Sequence, residues 1–418
     1  MSTLKKSFRG LISLVLLLLL TSIALVGCGK SDPAQEAKSP GEQTQGEQTK
    51  APASKEPIKI GAVPDLSGPT MSTGTSFYTG FSTYMKWVND NGGVNGRKIE
   101  LVTEDGKYDM QRENSMYKKL RQEGVLTVGI TWTTGVQKAL MEDYKKDQNV
   151  VFPGSRAAFL FKPEVNPYVF LSSPSYDIGY YAMVDYAVKE KPGAKIVVVH
   201  PDNTYGQDAM KWLQERAKAK GAEATSEILN FDAVDATTQA IHIKSLKPDF
   251  VFLILSGRPT KTFLDAAQKV GLDLPMVANY NTSEHFLIEL AGNMPIIKNI
   301  VGVQFYATPL EDVPGLKEMK ETAEKYGVKP NIYNEQWYAE GWTDARVMVE
   351  GMKKAGDNLT AQTLKEGIES IQNLDTGGIT TPLTYSASQH TGGAQIKYAK
   401  VNVEKGFWEP ISDWMKLE

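Results

Sequence analysis

Cysteine is nearly missing from this chain, since Cys28 is the only one among 418 residues. One thiol excludes an intrachain disulfide framework and a metal site built from cysteines. Histidine is also sparse, and its four copies are scattered along the chain. The catalytic spacings H-E-x-x-H, G-x-S-x-G and G-x-G-x-x-G and the phosphate-binding P-loop do not occur. We therefore expect a protein that is not an enzyme and that holds neither a metal nor a cofactor.

A basic excess is absent as well. The chain has 46 Lys and Arg residues against 49 Asp and Glu residues, which gives a net charge of -3. Nucleic acids bind proteins through clustered Lys and Arg that displace counterions from phosphates, so we expect no nucleic-acid partner. A hydrophobic content of 41% suits one or two globular domains with true cores, and the length favours more than one.

The N-terminal segment has the features of an export signal. Lys5, Lys6 and Arg9 precede an apolar run of about 16 residues, shorter than the roughly 20 that a membrane-spanning helix needs. The run ends in LVGC, which resembles the bacterial lipobox, and this resemblance implies that Cys28 is lipidated and becomes the first residue of the mature protein. The open alternative is a free cysteine at the edge of an uncleaved anchor helix.

Residues 28–57 are predicted to form a lipid-anchored linker. Positions 29–57 contain no aromatic residue and no Leu, Ile or Val, so they cannot bury enough apolar surface to offset the entropy cost of ordering. A flexible chain of this length spans roughly 30 Å, and acyl chains contribute about 0.8 kcal/mol per buried methylene to membrane attachment. The sequence thus predicts a signal peptide over residues 1–27 and a body tethered to the outer face, or periplasmic side, of the bacterial cell membrane.

Strand and helix patterns alternate from Ile58 onward in two series. The first series places predicted strands at Ile58–Leu66, Lys98–Asp105, Val125–Ile130 and Asn149–Gly154. The second series places them at Lys195–His200, Asp249–Leu255, Pro275–Tyr280 and Ile300–Pro309. Helical patterns between the strands call for parallel sheets with right-handed crossovers. The predicted fold class is α/β, with two doubly wound, Rossmann-like lobes.

The chain is expected to cross between these lobes several times, because helical patterns after Pro309 indicate a return to the first lobe. We predict that residues 58–175 and about 308–378 form lobe 1, and that about 176–307 and 379–418 form lobe 2. Two lobes joined by a multi-crossing hinge enclose a cleft at the carboxyl ends of their strands, where ligands bind.

Five stretches, taken in order, resemble the leucine/isoleucine/valine-binding family of ABC-importer receptors. They read IKIGAVPDLSGP, NDNGGVNGRKIELVTED, VGITWTTGVQ, VVFPGS and VVVHPDNTYGQDA, and the resemblance spans Ile58 to about Thr384. It implies a type I periplasmic-binding-protein fold that closes on a solute by hinge motion. It also implies delivery of that solute to the transmembrane subunits of an ABC permease, and we expect the protein to be a monomer.

The resemblance places a carboxylate-binding position at the turn after the third strand. The matching residue is Thr133, flanked by Trp132 and Thr134, and the family offers a hydroxyl side chain and a backbone N–H there. Free N–H groups at the start of a helix attract anions. Capping of that helix by Thr133 is the alternative, and the two roles are compatible. At the next turn, the resemblance makes Ser155 a contact for a ligand ammonium group.

Further binding candidates lie on neighbouring loops. Arg156 stands where a small or hydroxyl residue is expected, and it either clamps a carboxylate or faces solvent. Tyr205 matches an aromatic lid over the ligand, with packing at a strand-to-helix turn as the alternative. The remaining candidates are Thr73, Ser256, Arg258 and Tyr280.

An acidic residue is missing near the predicted strand that ends at Tyr280. Amino-acid binders of the family carry an acid there to pair with the ligand ammonium, whereas this chain has Asn279 and Tyr280, and Glu284 follows only later. Without that ion pair in a desolvated cleft, a zwitterionic amino acid should lose affinity. The predicted ligand is an amino acid or a related small carboxylate or amide. Aromatic ligands and cations, which aromatic faces can hold, remain alternatives.

The predicted function is that of an extracytoplasmic solute-binding lipoprotein of an ABC importer of the branched-chain amino acid type. Two alternatives stay open, a sensory ligand-binding receptor and a secreted hydrolase on the same two-lobed body. The missing catalytic spacings favour binding over hydrolysis.

Overall fold

The computed structural model describes residues 56–292 and 294–417. The predicted signal peptide, Cys28 and the linker up to residue 55 lie outside the described residues, so these predictions stay predictions. Within the described ranges, no helix combines the length and the apolar character needed to cross a membrane.

Three parallel strands form the first sheet. β1 (Ile58–Ala62), β2 (Ile99–Thr103) and β3 (Thr127–Ile130) pair in the order β2-β1-β3. The helices that follow these strands are α1 (Met71–Asp90), α2 (Met110–Gln122) and α3 (Thr134–Lys146). Every residue of β3 is buried, as expected where helices cover both faces of a parallel sheet. All three predicted strands are confirmed, although each is shorter than predicted.

The predicted strand at Asn149–Gly154 forms only an isolated bridge, between Val151 and Val169. The Asn149 side chain explains this difference. Its Oδ1 accepts from the backbone N–H of Val128 at 2.7 Å, and its Nδ2 donates to the Val128 carbonyl at 3.0 Å. Because these side-chain bonds use the groups that a backbone ladder would need, a regular strand cannot start here.

The second sheet is larger, with eight strands among the described residues. Its strands are β4 (Lys195–His200), β5 (Glu223–Ile228), β6 (Phe250–Leu253), β7 (Met276–Ala278), β8 (Ile300–Gln304), β9 (Gln395–Asn402), β10 (Phe407–Pro410) and β11 (Met415–Lys416). The order is β10-β9-β8-β7-β6-β4-β5, and β11 pairs with β9. Strands β4 to β8 run parallel, whereas β9 returns antiparallel to β8.

Helices surround this sheet and continue beyond it. They are α4 (Tyr176–Glu190), α5 (Thr204–Ala219), α6 (Thr237–Leu246), α7 (Arg258–Lys269), α8 (His285–Ala291), α9 (Pro314–Lys325), α10 (Pro330–Tyr333), α11 (Gln336–Ala355) and α12 (Ala361–Glu369). Sequence reasoning missed β5, α6, α8, α10 and β11. β5 is an edge strand with mostly polar residues, and α8 has only seven residues, so neither carries an apolar pattern long enough to recognise.

Helix α11 packs closely against α1 of the first sheet. A Cβ on Gly341 of α11 would lie 1.9 Å from the Phe77 carbonyl oxygen, and a Cβ on Gly80 of α1 would lie 2.1 Å from the Tyr338 carbonyl oxygen. Only glycine permits this approach of the two backbones. The contact holds the N-terminal end of α11, which carries Trp337, against the part of the body that contains the first sheet.

Candidate functional site

A cavity of about 30 Å³ lies where loops from the two sheets meet. Six of the residues predicted from the sequence line it, namely Thr73, Trp132, Thr133, Thr134, Tyr205 and Ser256. Seven lining residues were not predicted, namely Thr70, Tyr108, Gly154, Tyr176, Phe231, Asn281 and Trp337. The residues come from loops at the carboxyl ends of strands and from the adjoining helix starts, which is where doubly wound folds bind ligands.

The indole of Trp132 is held in one orientation. Its Nε1 donates to the Thr70 hydroxyl at 2.9 Å, and that hydroxyl donates to the buried Asp65 carboxylate at 2.7 Å. On the ring face, a Cβ at Gly154 would lie 2.4 Å from Cε3 of Trp132. The hydrogen bonds hold the Nε1 edge of the indole in place, and the absence of a side chain at Gly154 lets the ring pack against the backbone there.

Aromatic rings from both sheets form the cavity walls. Trp132 packs on Trp337 with ring centroids 5.6 Å apart. From the second sheet, the Tyr205 ring lies 5.5 Å from the Tyr176 ring. Tyr108, between β2 and α2, meets Phe231, which follows β5, with ring centroids 5.6 Å apart. The cavity is therefore suited to a flat or apolar ligand body.

An internal carboxylate occupies the turn at which a ligand carboxylate was expected. Glu113 is buried, and its Oε2 accepts from the backbone N–H groups of Trp132 and Thr133, each at 3.0 Å. Burial raises the pKa of Glu113 to about 8, and these hydrogen bonds only partly oppose that shift. Sequence reasoning missed Glu113, because nothing in the pattern of α2 shows that its side chain reaches β3.

For Thr133, two roles were considered, capping of α3 and binding of a ligand carboxylate, and the structure shows the capping role. Its hydroxyl accepts from the Val136 N–H at 3.2 Å, which is the capping role. Its own N–H is engaged by Glu113 and does not face the cavity as a free donor. Neighbouring Thr134 shares a hydrogen bond of 2.9 Å with Ser155, so Ser155 supports the lining without being part of it.

Arg156 neither lines the cavity nor faces solvent. Its side chain is fully buried and forms an ion pair with Glu340 of α11. The guanidinium carbon lies 4.2 Å from the centroid of the Tyr280 ring and 4.4 Å from that of Trp337. Because a buried cation needs a carboxylate and polarisable neighbours, the arginine is committed to this interior pair. The solvent-facing role considered for Arg156 is therefore wrong, whereas its role as a clamp for a ligand carboxylate stays a prediction.

Tyr280 belongs to the same interior cluster and lies outside the cavity lining. Its hydroxyl donates to Oε2 of Glu340 at 3.0 Å, and its ring stacks on Phe305 with centroids 4.7 Å apart. Arg258, the last sequence candidate, lies at a second and larger cavity. The structure thus places four of the ten candidates, Ser155, Arg156, Tyr280 and Arg258, away from the cavity lining.

The cavity is lined by neutral residues alone, with no Asp, Glu, Lys, Arg or His. An ammonium group enclosed there would have no carboxylate beside it, which is costly in a desolvated site. Two polar atoms of lining residues have no hydrogen-bond partner among the described residues, the donor Nε1 of Trp337 and the acceptor Oδ1 of Asn281. A buried N–H donor without an acceptor favours a ligand oxygen. In the part of the chain that the structure describes, no three His, Cys, Asp or Glu side chains are grouped as metal ligands.

Solved structures share this fold. A branched-chain amino acid ABC transporter protein from Thermus thermophilus with bound valine superposes with a TM-score of 0.80 at 20% identity, covering 87% of this chain and 97% of that chain. A solute binding protein from R. palustris in complex with benzoate gives 0.75 at 19% identity, covering 87% and 98%. The two-sheet architecture is therefore the type I periplasmic-binding-protein fold.

The family follows from the sequence match. A family model described as periplasmic binding protein matches residues 57–406, and the chain belongs to this family. Among curated relatives, the Leu/Ile/Val-binding protein of Citrobacter freundii is 25% identical over 203 residues, which is 47% of this chain and 53% of the relative. The chain thus matches about half the length of that relative.

Proposed function

We propose that this protein is an extracytoplasmic solute-binding lipoprotein that captures a small molecule in the aromatic cavity and delivers it to an ABC permease. The observation that carries the proposal is the neutral, ring-walled cavity at the meeting of the two sheets, in a chain of the periplasmic binding protein family. The LVGC lipobox supports attachment through Cys28. Binding without covalent change fits a cavity that no acid, base or metal cluster of the described residues lines.

The ligand we propose is a small carboxylate or amide with a flat or apolar body and no ammonium group. The Trp337 N–H offers a hydrogen bond to a ligand oxygen, and the aromatic walls match an apolar body. Relatives of this fold are described with valine and with benzoate, so the fold accepts both kinds of carboxylate. The cavity of about 30 Å³ is far below the ~300 Å³ of ordinary ligand pockets, so the lobes must part for ligand entry, and the aromatic walls must lie farther apart around the bound ligand than they do here.

Calorimetric titration of the purified protein with benzoate, benzamide and valine tests this proposal. We expect saturable binding of benzoate or benzamide, weaker binding of valine, and recovery of the ligand unchanged. Trp337→Phe keeps an aromatic wall but removes the N–H donor, so it should weaken binding by about fivefold to tenfold.

The matched control is Trp87→Phe, which removes an indole N–H outside the cavity lining. Equal affinity of Trp337→Phe and the unsubstituted protein would contradict the assigned donor. Tighter binding of valine than of benzoate and benzamide would contradict the absence of an ammonium site. Conversion of the ligand during incubation would instead support the hydrolase alternative.

A further inference from the structure

A second cavity, of about 340 Å³, lies beside the first. Its walls come from the start of α1, the start of α7, Phe286 of α8 and the segment that contains α10. Near it, the start of α1 meets Glu284 and the residue before α7. There the Ser72 hydroxyl donates to Oε2 of Glu284 at 3.4 Å, and Oε1 of the same carboxyl accepts from the Gly257 N–H. A Cβ at Gly257 would lie 3.3 Å from the Ser72 hydroxyl, so the two elements are in direct contact.

Size distinguishes the two cavities. Ligand pockets of proteins usually measure about 300–1,000 Å³. The second cavity, at about 340 Å³, falls in this range, whereas the first has about 30 Å³. The second cavity can therefore accept a small organic molecule without rearrangement of its walls.

The lining combines one cation, hydroxyl groups and an apolar surface. Arg258 is exposed at the rim, and its guanidinium has no carboxylate partner among the described residues. Ser76 is only 1% exposed, lines the cavity, and its hydroxyl has no hydrogen-bond partner among the described residues. Met71, Phe286 and Ile332 supply the apolar part.

The acidic residue in the lining, Glu335, does not make the site repel an anion. Its two carboxyl oxygens accept from the backbone N–H groups of His285, at 2.9 Å, and of Phe286. Burial and the neighbouring Glu284 raise the pKa of Glu335 well above its ordinary value. Because both oxygens of Glu335 are engaged by backbone N–H groups of α8, the Arg258 guanidinium is the charged group of the lining that is left without a partner among the described residues.

We propose that this second cavity binds a small amphipathic carboxylate, whose anionic group pairs with Arg258 and whose apolar body packs on Met71, Phe286 and Ile332. The Ser76 hydroxyl supplies a hydrogen bond inside the cavity. Because α1 follows a strand of the first sheet and α7 and α8 follow strands of the second, an occupant touches both and stabilises their closed arrangement. This site is distinct from the aromatic cavity, and it does not depend on which ligand that cavity takes.

Titration of the full chain with hexanoate, and with hexanamide as its uncharged analogue, tests this proposal. We expect saturable hexanoate binding that Arg258→Met weakens by about tenfold, because a hydrogen bond to a charged group is lost. Lys261→Met is the matched control, since it removes one positive charge from the same helix outside the lining, and it should leave hexanoate affinity unchanged. Hexanamide affinity should be the same in the unsubstituted protein and in both variants, because an uncharged amide gains nothing from the Arg258 charge.

A second variant separates the two cavities. Gly154→Ala disturbs the aromatic cavity, where a Cβ would meet the Trp132 ring, and it should leave hexanoate binding intact. Loss of hexanoate binding in Gly154→Ala with no effect of Arg258→Met would place hexanoate in the aromatic cavity and overturn the proposal. Absence of saturable hexanoate binding to the unsubstituted protein would overturn it as well. Neither result would bear on benzoate binding, which tests the proposed function separately.

Discussion

Glu113 is the residue whose charge state is most closely tied to the aromatic cavity. Its carboxyl group is enclosed between α2 and the turn after β3, and one oxygen, Oε1, has no hydrogen-bond partner among the described residues. Burial raises its pKa to about 8 from an ordinary value of 4.5. The folded chain therefore holds this proton through a pH range in which the unfolded chain has already lost it.

The first prediction concerns stability against pH. Because the folded-state pKa is the higher one, the stabilising effect of this group is fully present below pH 4.5 and is lost as pH rises through about 8. Glu113→Gln keeps an acceptor for both N–H groups and removes the titration. Between pH 5 and pH 8, the free energy of unfolding of the variant should fall less than that of the unsubstituted protein. The slope of this fall against pH should be smaller by up to about 1.4 kcal/mol per pH unit.

Urea unfolding of both proteins at several pH values measures these slopes. Glu284 and Asp344 also have raised pKa values, so part of the decline should persist in the variant. Glu366→Gln is the control, because Glu366 is exposed on α12 and its substitution should leave the slope unchanged. Identical slopes for Glu113→Gln and the unsubstituted protein would show that Glu113 is already ionised at pH 5.

At the scale of elements, the crossing of α1 and α11 holds Trp337 in place. Two glycines let the helix backbones approach, and Trp337 lies near the first turn of α11, where it covers both the cavity and the Arg156 guanidinium. A change in the spacing between these helices therefore moves one wall of the binding site.

The second prediction is that Gly341→Ala lowers stability. A Cβ would meet the Phe77 carbonyl oxygen at 1.9 Å, and backbone cannot yield as a flexible side chain can. Overpacking costs about 1–3 kcal/mol, partly offset by the higher helix propensity of alanine, about 1 kcal/mol. Thermal unfolding should show a lower Tm. Gly135→Ala in α3 is the control, because its Cβ would meet only the flexible side chain of exposed Met110.

Much of the fold could be predicted from the sequence because buried parallel strands appear as continuous apolar runs. KIVVVH became β4 with the predicted limits, Lys195–His200. The polar edge strand β5 carries no such run, and Asn149 interrupts a predicted strand through side-chain bonds that local sequence does not reveal. In the binding site, too, some residues could be predicted from local sequence and others could not. Trp132 and Thr134 could be found because the turn after β3 resembles the binding turn of the family, whereas Glu113 and Trp337 reach the cavity only through tertiary packing.

At the scale of the whole molecule, the Arg156, Glu340 and Tyr280 cluster joins the two sheets. Arg156 and Glu340 lie with the first sheet and α11, whereas Tyr280 follows β7 of the second sheet. Gln336 adds another contact, because its Nε2 donates to the Ser283 carbonyl at 3.0 Å. Parting the lobes would separate Tyr280 from the guanidinium and from Glu340, so these contacts favour the closed arrangement.

The third prediction is that Tyr280→Phe shifts the balance toward the open arrangement. The variant keeps the ring over Arg156 but removes the hydroxyl that donates to Glu340 at 3.0 Å. Loss of one such bond, worth about 1 kcal/mol, should weaken benzoate or benzamide binding about fivefold. Calorimetry gives the affinity, and small-angle scattering gives the mean dimensions without ligand. Tyr326→Phe is the control, because Tyr326 follows α9 and its hydroxyl also donates to a carboxylate, that of Asp90, outside this cluster; it should change neither quantity.

The all-neutral lining of the aromatic cavity has a consequence for the response to ionic strength. Salt screens attraction between exposed charges over roughly 8–10 Å, and it slows encounters that are guided by such attraction. Because the cavity lining carries no formal charge, it contributes little electrostatic steering of a ligand. A ligand should therefore bind in this cavity at nearly the same rate at low and at high ionic strength. The shape of the ligand and the loss of its hydration water should determine which molecules remain bound.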